Sequence, residues 1–395
     1  MSRLLFLLPS VPDPPDAGAK LRNLGLVRLA AEEHTVDVIA FGNPADEARL
    51  ATLGNRTCVL PTPAQRTRAL RAKTVVSTDL PDMAMRLWST DFQRAVANFV
   101  EREHYAAVQA EAIEMARYLI SVPPEKRVYD AHNPEFLLQR RASEEAASVQ
   151  ARLYSQLQWR RLERFERAVV RASRMTIAVS EHDANQLLAL AGDACITVVP
   201  NGIDTSAYTF QEPRAEDMPN VLFLGKLDYR PNAEALGWLM RDVMPAVFEA
   251  VPQARLFAVG ANPPPWLVRA GQHDPRIAVT GYVPDERPYL DRCAVLVLPL
   301  RVAAGSRLKA LIGMASGVPI VSTVMGMEGL IAQPGEHYVN ADTAEAWIQA
   351  LRRMLTLPEE RATLARRARA LVEQHYDWSA IRPALHAAYA SLPND

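Results

Sequence analysis

The chain of 395 residues lacks most of what would place it in a specialised class. It has only three cysteines, Cys58, Cys195 and Cys293, far apart and without the paired spacing of a zinc site or a disulfide framework. They read as buried thiols. No apolar run reaches the length of a membrane span, and the apolar start, Leu4 to Leu8, is too short for a signal-peptide core and runs into Pro9. The cytoplasm is therefore the expected compartment. The formal net charge is only -1, without the positive surplus that phosphate-backbone affinity needs, so a nucleic-acid partner is not expected. Internal repeats and low-complexity tracts are missing as well. What is present is ordinary for a globular chain, 49% hydrophobic and 23% charged residues. The length exceeds what one core usually holds, which predicts two domains.

One stretch, Ala294 to Thr323, organises the rest. Ala294 to Pro299 is a short apolar run, the mark of a buried parallel strand. A small-residue loop, Val302 to Ser306, follows. Ser306 can cap the next helix, in which Leu308, Leu311, Ile312 and Ala315 have the spacing of one buried side. Gly317-Val318-Pro319 ends that helix and Ile320 to Thr323 opens another strand. Arg307 and Lys309 lie in the helix's first turn. Free N–H groups, helix dipole and two cations converge there, which suits a phosphate. An ordinary strand-to-helix connection with solvated basic residues fits the same pattern.

From the start of the chain, Arg3 to Leu8 reads as a strand, Pro9 to Gly18 as a proline-stiffened loop, Lys20 to Glu33 as a helix and Val36 to Phe41 as a strand. In such a βαβ unit ligands sit beyond the carboxyl ends of strands, where Gly18 would let backbone approach closely or serve as a plain turn glycine. Arg66, Arg68, Arg71 and Lys73 form a basic cluster, either a solvated helix face or a contact for an anionic membrane surface. Short strands at Ala107 to Ala110 and Arg127 to Tyr129 follow, and His132 falls just past the second, on the ligand side of the sheet, where a satisfied structural histidine fits as well as a ligand contact. Phe136 to Ala172 reads as a long helical region dense in arginine with glutamates interleaved, an exposed helix pair with local ion pairs. Strands at Met175 to Ser180 and Ile196 to Val199 complete the first half.

Thr205 to Asn220 loses apolar periodicity and gains proline and acid, as linkers do. A second parallel α/β domain then begins, with strands at Val221 to Gly225, Arg255 to Val259, Ile277 to Thr280 and Val295 to Leu298, and a helix from Ala233 to Glu249. Gly225-Lys226 and Gly305-Ser306 would open on one edge of its sheet. Lys226, Arg230, Arg307 and Lys309 could then surround one phosphate group, held by charge-assisted bonds. Glu328 falls near a further strand end.

Taken in order, several short motifs resemble the retaining glycosyltransferases of family 4. They are Pro12 to Gly18 with Lys20 and Arg22, Asp130 to Asn133, Val179-Ser180-Glu181, Pro200 to Asp204, Gly225 to Asn232, Gly281 to Pro284, and Pro299 through Lys309. The resemblance implies the GT-B fold, two Rossmann-like α/β domains with parallel sheets facing across a cleft. It assigns residues 1–204 to an acceptor-side domain, with 377–395 crossing back to it, and 205–376 to a nucleotide-sugar-binding domain. It implies transfer of a hexose from a nucleoside diphosphate sugar to a hydroxyl acceptor, with retention and with neither metal nor cofactor. Lys226, Arg307 and Lys309 match the family's diphosphate-stabilising cations, His132 the histidine near the transferred sugar, and Gly18 the glycine facing the diphosphate. Gly225, Gly305 and Ser306 belong to the donor loops, and Arg230 is offset from the family's second cation. The acceptor would be a sugar, a lipid-linked molecule or a small molecule. A cytoplasmic enzyme in polysaccharide or glycoconjugate synthesis, peripheral to the inner face of the membrane through its basic segments, would fit.

One departure from that pattern matters. The family glutamate that accepts bonds from the ribose hydroxyls is Ile312 here, and its partner eight residues upstream is Ala304. Unpaired ribose hydroxyls would weaken donor binding by about 1 to 3 kcal/mol. Three explanations stand: a reorganised donor site with Glu328 serving the ribose, a catalytically silent relative acting as a binding module, or a donor without an ordinary ribose contact. Base, sugar, acceptor and oligomeric state are carried by loops that this pattern leaves open.

Overall fold

The computed structural model describes residues 2–144, 149–214, 218–301 and 307–392. The chain divides into two compact units, Met1–Gly202 with Ile381–Asp395, and Ile203–Ala380.

The first unit is built on seven parallel strands: β1 (Arg3–Leu8), β2 (Thr35–Gly42), β3 (Arg56–Pro61), β4 (Ala107–Glu111), β5 (Arg127–Ala131), β6 (Met175–Ala178) and β7 (Ile196–Val198). Their order is β3-β2-β1-β4-β5-β6-β7. β1 lies between β2 and β4, and its residues Leu4 to Leu8 are at most 1% exposed, which is why its run is apolar on both faces. The strand order reverses between β1 and β4, so the crevice at their carboxyl ends is where a ligand is expected in an open α/β sheet.

The second unit repeats the plan with β8 (Asn220–Leu224), β9 (Arg255–Val259), β10 (Ile277–Gly281), β11 (Val295–Leu298), β12 (Ile320–Ser322) and β13 (Val339–Asn340), ordered β10-β9-β8-β11-β12-β13. Here the reversal falls between β8 and β11. The loops leaving these two strands carry Gly225-Lys226 on one side and lead to Arg307 and Lys309 on the other.

Several expectations need correcting. The helix expected at Ala233 to Glu249 is Arg230–Trp238, a wide π-helical turn Leu239–Val243, and Met244–Ala250. Pro245 explains the break, since it has no N–H for the regular ladder. The arginine-rich region is a helix pair as expected, Glu135–Glu144 and Val149–Ala172. The three cysteines are not buried thiols: Cys58 and Cys293 are half-buried and Cys195 is exposed. The helix of the central stretch runs Leu308–Ser316, and its N-cap is Arg307, with no side-chain cap bond; Ser306 lies outside the described residues. Gly317 closes it in the left-handed region, with φ of 81°.

Candidate functional site

In the second unit β8 ends at a turn that only glycine fits. Gly225 has φ of 139°, and a Cβ there would lie 2.1 Å from Lys309 Nζ and 2.7 Å from its Cε. The Lys309 ammonium therefore rests against the backbone of the turn. It donates to Asn232 Oδ1 at 3.2 Å, while Asn232 Nδ2 donates to the Lys226 carbonyl at 2.8 Å. One asparagine thus ties the β8 turn to the helix after β11. Burial pushes the Lys309 pKa down to about 8. The ammonium also stands 5.6 Å from the centre of the Phe223 ring.

Lys226 extends from the same turn, 62% exposed, with Asp228 at 3.7 Å. Arg307 sits at the N-terminus of the next helix with its guanidinium 3.4 Å from Glu328 Oε2. Glu328 follows the short turn Met325–Met327 beyond β12, so its carboxylate stands beside Arg307. Arg230 opens its helix and reaches Glu234, one turn on, at 2.9 Å. Ile312 is half-buried and packs on the cluster that includes Leu296, Met314 and Ile320. Ala304, Gly305 and Ser306 lie outside the described residues.

In the first unit His132 stands one residue past β5. Its Nε2 is 3.2 Å from Glu111 Oε2 and 3.2 Å from Asp130 Oδ2. Gly18 starts the helix Gly18–Glu33, which carries Arg22 into the same cluster. Arg22, 2% exposed, grips Asp130 with Nε at 2.8 Å and a terminal nitrogen at 2.6 Å, and donates to the carbonyls of Val199 and Pro200 at 3.0 and 3.1 Å. Glu111 Oε1 accepts from Gln109 at 2.6 Å. The Asn23 amide, with its nitrogen turned inward, donates to Glu111 Oε2 at 2.9 Å.

These contacts set the charges. Burial lowers the proton affinity of His132, but the bonds to Asp130 and Glu111 outweigh it and raise the pKa to about 9. Burial also works on Asp130, and there the Arg22 guanidinium prevails and holds the carboxyl well below the usual carboxylate range. Glu111 is pushed up to about 7, first by burial and then by the neighbouring Asp130. A charged imidazole flanked by two carboxylates and one guanidinium results.

His132 stands out in the sequence, and its partners do not. The available signal was polarity inside short apolar strands: Gln109 and Glu111 in AVQAE, and Asp130 in RVYDA. Glu111, Asp130 and His132 also form the one trio among the described residues whose ligand atoms lie within 4.8 Å of one another. Arg22 takes both oxygens of Asp130, and its charge opposes a cation, so the trio is an ion-pair network.

The basic cluster before β4 is less uniform than its sequence. Arg66 is turned inward to Asp82 and Thr74, and Arg71 lies 3.7 Å from Asp82. The helix Arg68–Ser77 is fastened to Val149–Ala172 by the Arg161 guanidinium on the Val75 carbonyl at 2.8 Å. Leu70, Val76, Val149 and Leu153 on these two helices are 46 to 90% exposed. No helix among the described residues is long and apolar enough to cross a membrane.

Two family models match the chain, one described as Glycosyltransferase Family 4 over residues 25–207 and one as Glycosyl transferases group 1 over 218–357. No curated protein sequence matches it. Among solved structures, a sucrose-phosphate synthase from Thermosynechococcus elongatus is similar with a TM-score of 0.72 at 19% identity, covering 99% of each chain. The Anabaena protein Alr3699/HepE, solved with UDP and glucose, has a TM-score of 0.68 at 15% identity, covering 99% of this chain and 100% of its own. The glycosyltransferase WaaG, involved in lipopolysaccharide biosynthesis, has a TM-score of 0.66 at 15% identity over 99% and 100%. These likenesses are to the fold.

Proposed function

The chain belongs to the glycosyltransferases of family 4 and group 1, with the GT-B fold, and from that premise we propose that it moves a hexose from a nucleoside diphosphate sugar to a hydroxyl acceptor with retention at the anomeric carbon. The observation that carries the reading is the cation group at the β8 and β11 switch point: Lys309 held against Gly225, Arg307 at the following helix, and Lys226 on the adjoining turn. Positive charge fixed at a strand-end crevice and a helix N-terminus suits a diphosphate leaving group. These side chains would stabilise it as the glycosidic bond to the donor breaks, without a metal. His132, charged at neutral pH, would hold or polarise the transferred sugar. Gly18, Gly225, Gly305, Ser306, Arg230 and Glu328 complete the proposed donor contacts.

Ile312 removes the usual carboxylate for the ribose, and Glu328 is the proposed replacement, since it already stands beside Arg307. A catalytically silent binding module is the competing reading, favoured by the same Ile312. The exposed apolar side chains beside Arg71, Lys73 and Arg152 support a peripheral contact with an anionic membrane, where a lipid-linked acceptor would be met.

HepE was solved with UDP-glucose, so UDP-hexoses are the first donors to try. Incubation with UDP-glucose and a panel of sugar and lipid-linked acceptors, followed by NMR of the product's anomeric configuration, tests the proposal. An α-linked product from the α-linked donor is expected. A β-linked product would overturn retention, and release of free glucose alone would point to hydrolysis.

A further inference from the structure

A line of buried side chains reaches His132 from the last helix of the chain, Trp378–Ala390. Tyr389, 4% exposed, donates its hydroxyl hydrogen to Gln109 Oε1 at 2.8 Å. The Gln109 nitrogen donates to Glu111 Oε1 at 2.6 Å, and Glu111 Oε2 lies 3.2 Å from His132 Nε2. Gln109 and Glu111 are 1% and 0% exposed, so water does not take over any of these bonds. Burial holds the Tyr389 phenol well above its ordinary pKa, which keeps the hydroxyl a donor at neutral pH.

The middle of this line is an amide that accepts from the phenol at one end and donates to the carboxylate at the other. A glutamine amide has nearly the same shape either way round, and its partners alone decide which end faces which. The Tyr389 hydroxyl fixes the oxygen on its own side, which leaves the nitrogen for Glu111. Without the hydroxyl, the amide loses the bond that polarises it and its N–H donates less strongly to the buried Glu111 carboxylate. A carboxylate so treated takes up a proton more readily and supports a charged imidazole less well.

We propose that Tyr389 is a positioning residue for His132, acting through the Gln109 amide and the Glu111 carboxylate. The proposal rests on the assignment of His132 to the transferred sugar and gives that assignment a means of support. With Nε2 facing the two carboxylates, the orientation of the ring is set, and Nδ1 has no hydrogen-bond partner among the described residues. Nδ1 is the atom left to meet a substrate. The charged and titratable groups facing the imidazole are Glu111 from β4, Asp130 from β5 with Arg22 behind it, Glu135 from the following helix, and Tyr389 at the far end of the line.

The test is the His132 titration in the full chain, followed by NMR of the imidazole Cε1–H and assigned by its loss in His132→Asn. Tyr389→Phe keeps the ring that packs edge-on to His34 at 5.5 Å and removes only the hydroxyl. It should lower the His132 pKa by about half a unit or more. Turnover of UDP-glucose should fall several-fold in kcat, with KM changed by less than about twofold. Gln109→Leu should shift the titration in the same direction, and adding Tyr389→Phe to it should bring no further shift. A folded Tyr389→Phe chain with an unmoved His132 titration, even at a lower Tm, would overturn the proposal; should Gln109→Leu not fold, this variant alone decides. A shifted titration in Tyr389→Phe, with a wild-type chain that turns over no nucleotide sugar, would uphold the positioning and sink the role of His132 in transfer.

Discussion

Replacing Lys309 by methionine removes one ammonium and keeps most of the side chain's volume, so it isolates the charge that the account assigns to the diphosphate. At about 4 Å and an effective dielectric constant of about 20, two unit charges attract by about 4 kcal/mol. Desolvation takes back part of that, and a hydrogen bond to a charged group retains about 1.5 to 3 kcal/mol. UDP affinity at pH 7 should therefore weaken by about 10- to 150-fold. The pH dependence sharpens the test. Burial holds Lys309 at about 8 in the free protein, so the ammonium is mostly charged at pH 7 and mostly neutral at pH 9.5. Above pH 8 the wild-type chain must take up a proton to bind, and its affinity should fall by up to about tenfold per pH unit while that of the variant stays flat. Isothermal titration from pH 7 to 9.5 reads both effects. The variant should fold at least as stably as the parent, because a desolvated ammonium has been removed. Equal affinities at pH 7, or parallel pH profiles, would refute the reasoning.

Other consequences follow from the same contacts. Arg22→Met leaves Asp130 charged, buried and without its guanidinium; unfolding in urea should show a loss of about 3 to 5 kcal/mol, and a loss under about 1 would show the pair to be dispensable. Ile312→Glu separates the readings of the donor site: UDP affinity should be unchanged or lower if Glu328 serves the ribose, and should rise by tenfold or so if the chain is a silent relative missing only this carboxylate. His132, raised to about 9, stabilises the folded state fully below its unfolded value of about 6.5, and that contribution is lost as pH rises through 9. The difference in Tm between wild type and His132→Asn should therefore shrink from pH 6.5 to 9.5, and a constant difference would mean that the imidazole is not charged in the fold.

Much of the scaffold was legible because parallel strands buried on both faces write themselves as apolar runs: β1, β8 and β11 stand out in the sequence for that reason. The positions of Gly225, Lys226 and Lys309 beside strand ends were legible too, although an ordinary connection with solvated basic residues writes the same pattern. The network around His132 was hidden by distance along the chain. Arg22 meets Asp130 across 108 residues and Tyr389 meets Gln109 across 280. No local pattern encodes such a pairing; the only trace is a polar residue inside a strand that should be apolar. Pro245 hid a different feature, because a helical period continues through the π-turn that the missing N–H imposes.

The central claim, that the second unit binds a nucleoside diphosphate through the cations at its switch point, is tested most directly by titrating the folded wild-type chain and the Arg307→Met, Lys309→Met double variant with UDP and GDP at pH 7. The account predicts saturable one-to-one binding of at least one nucleotide to wild type, weakened by well over tenfold in the variant. Failure of both nucleotides to bind, or binding that survives removal of both cations, would contradict it.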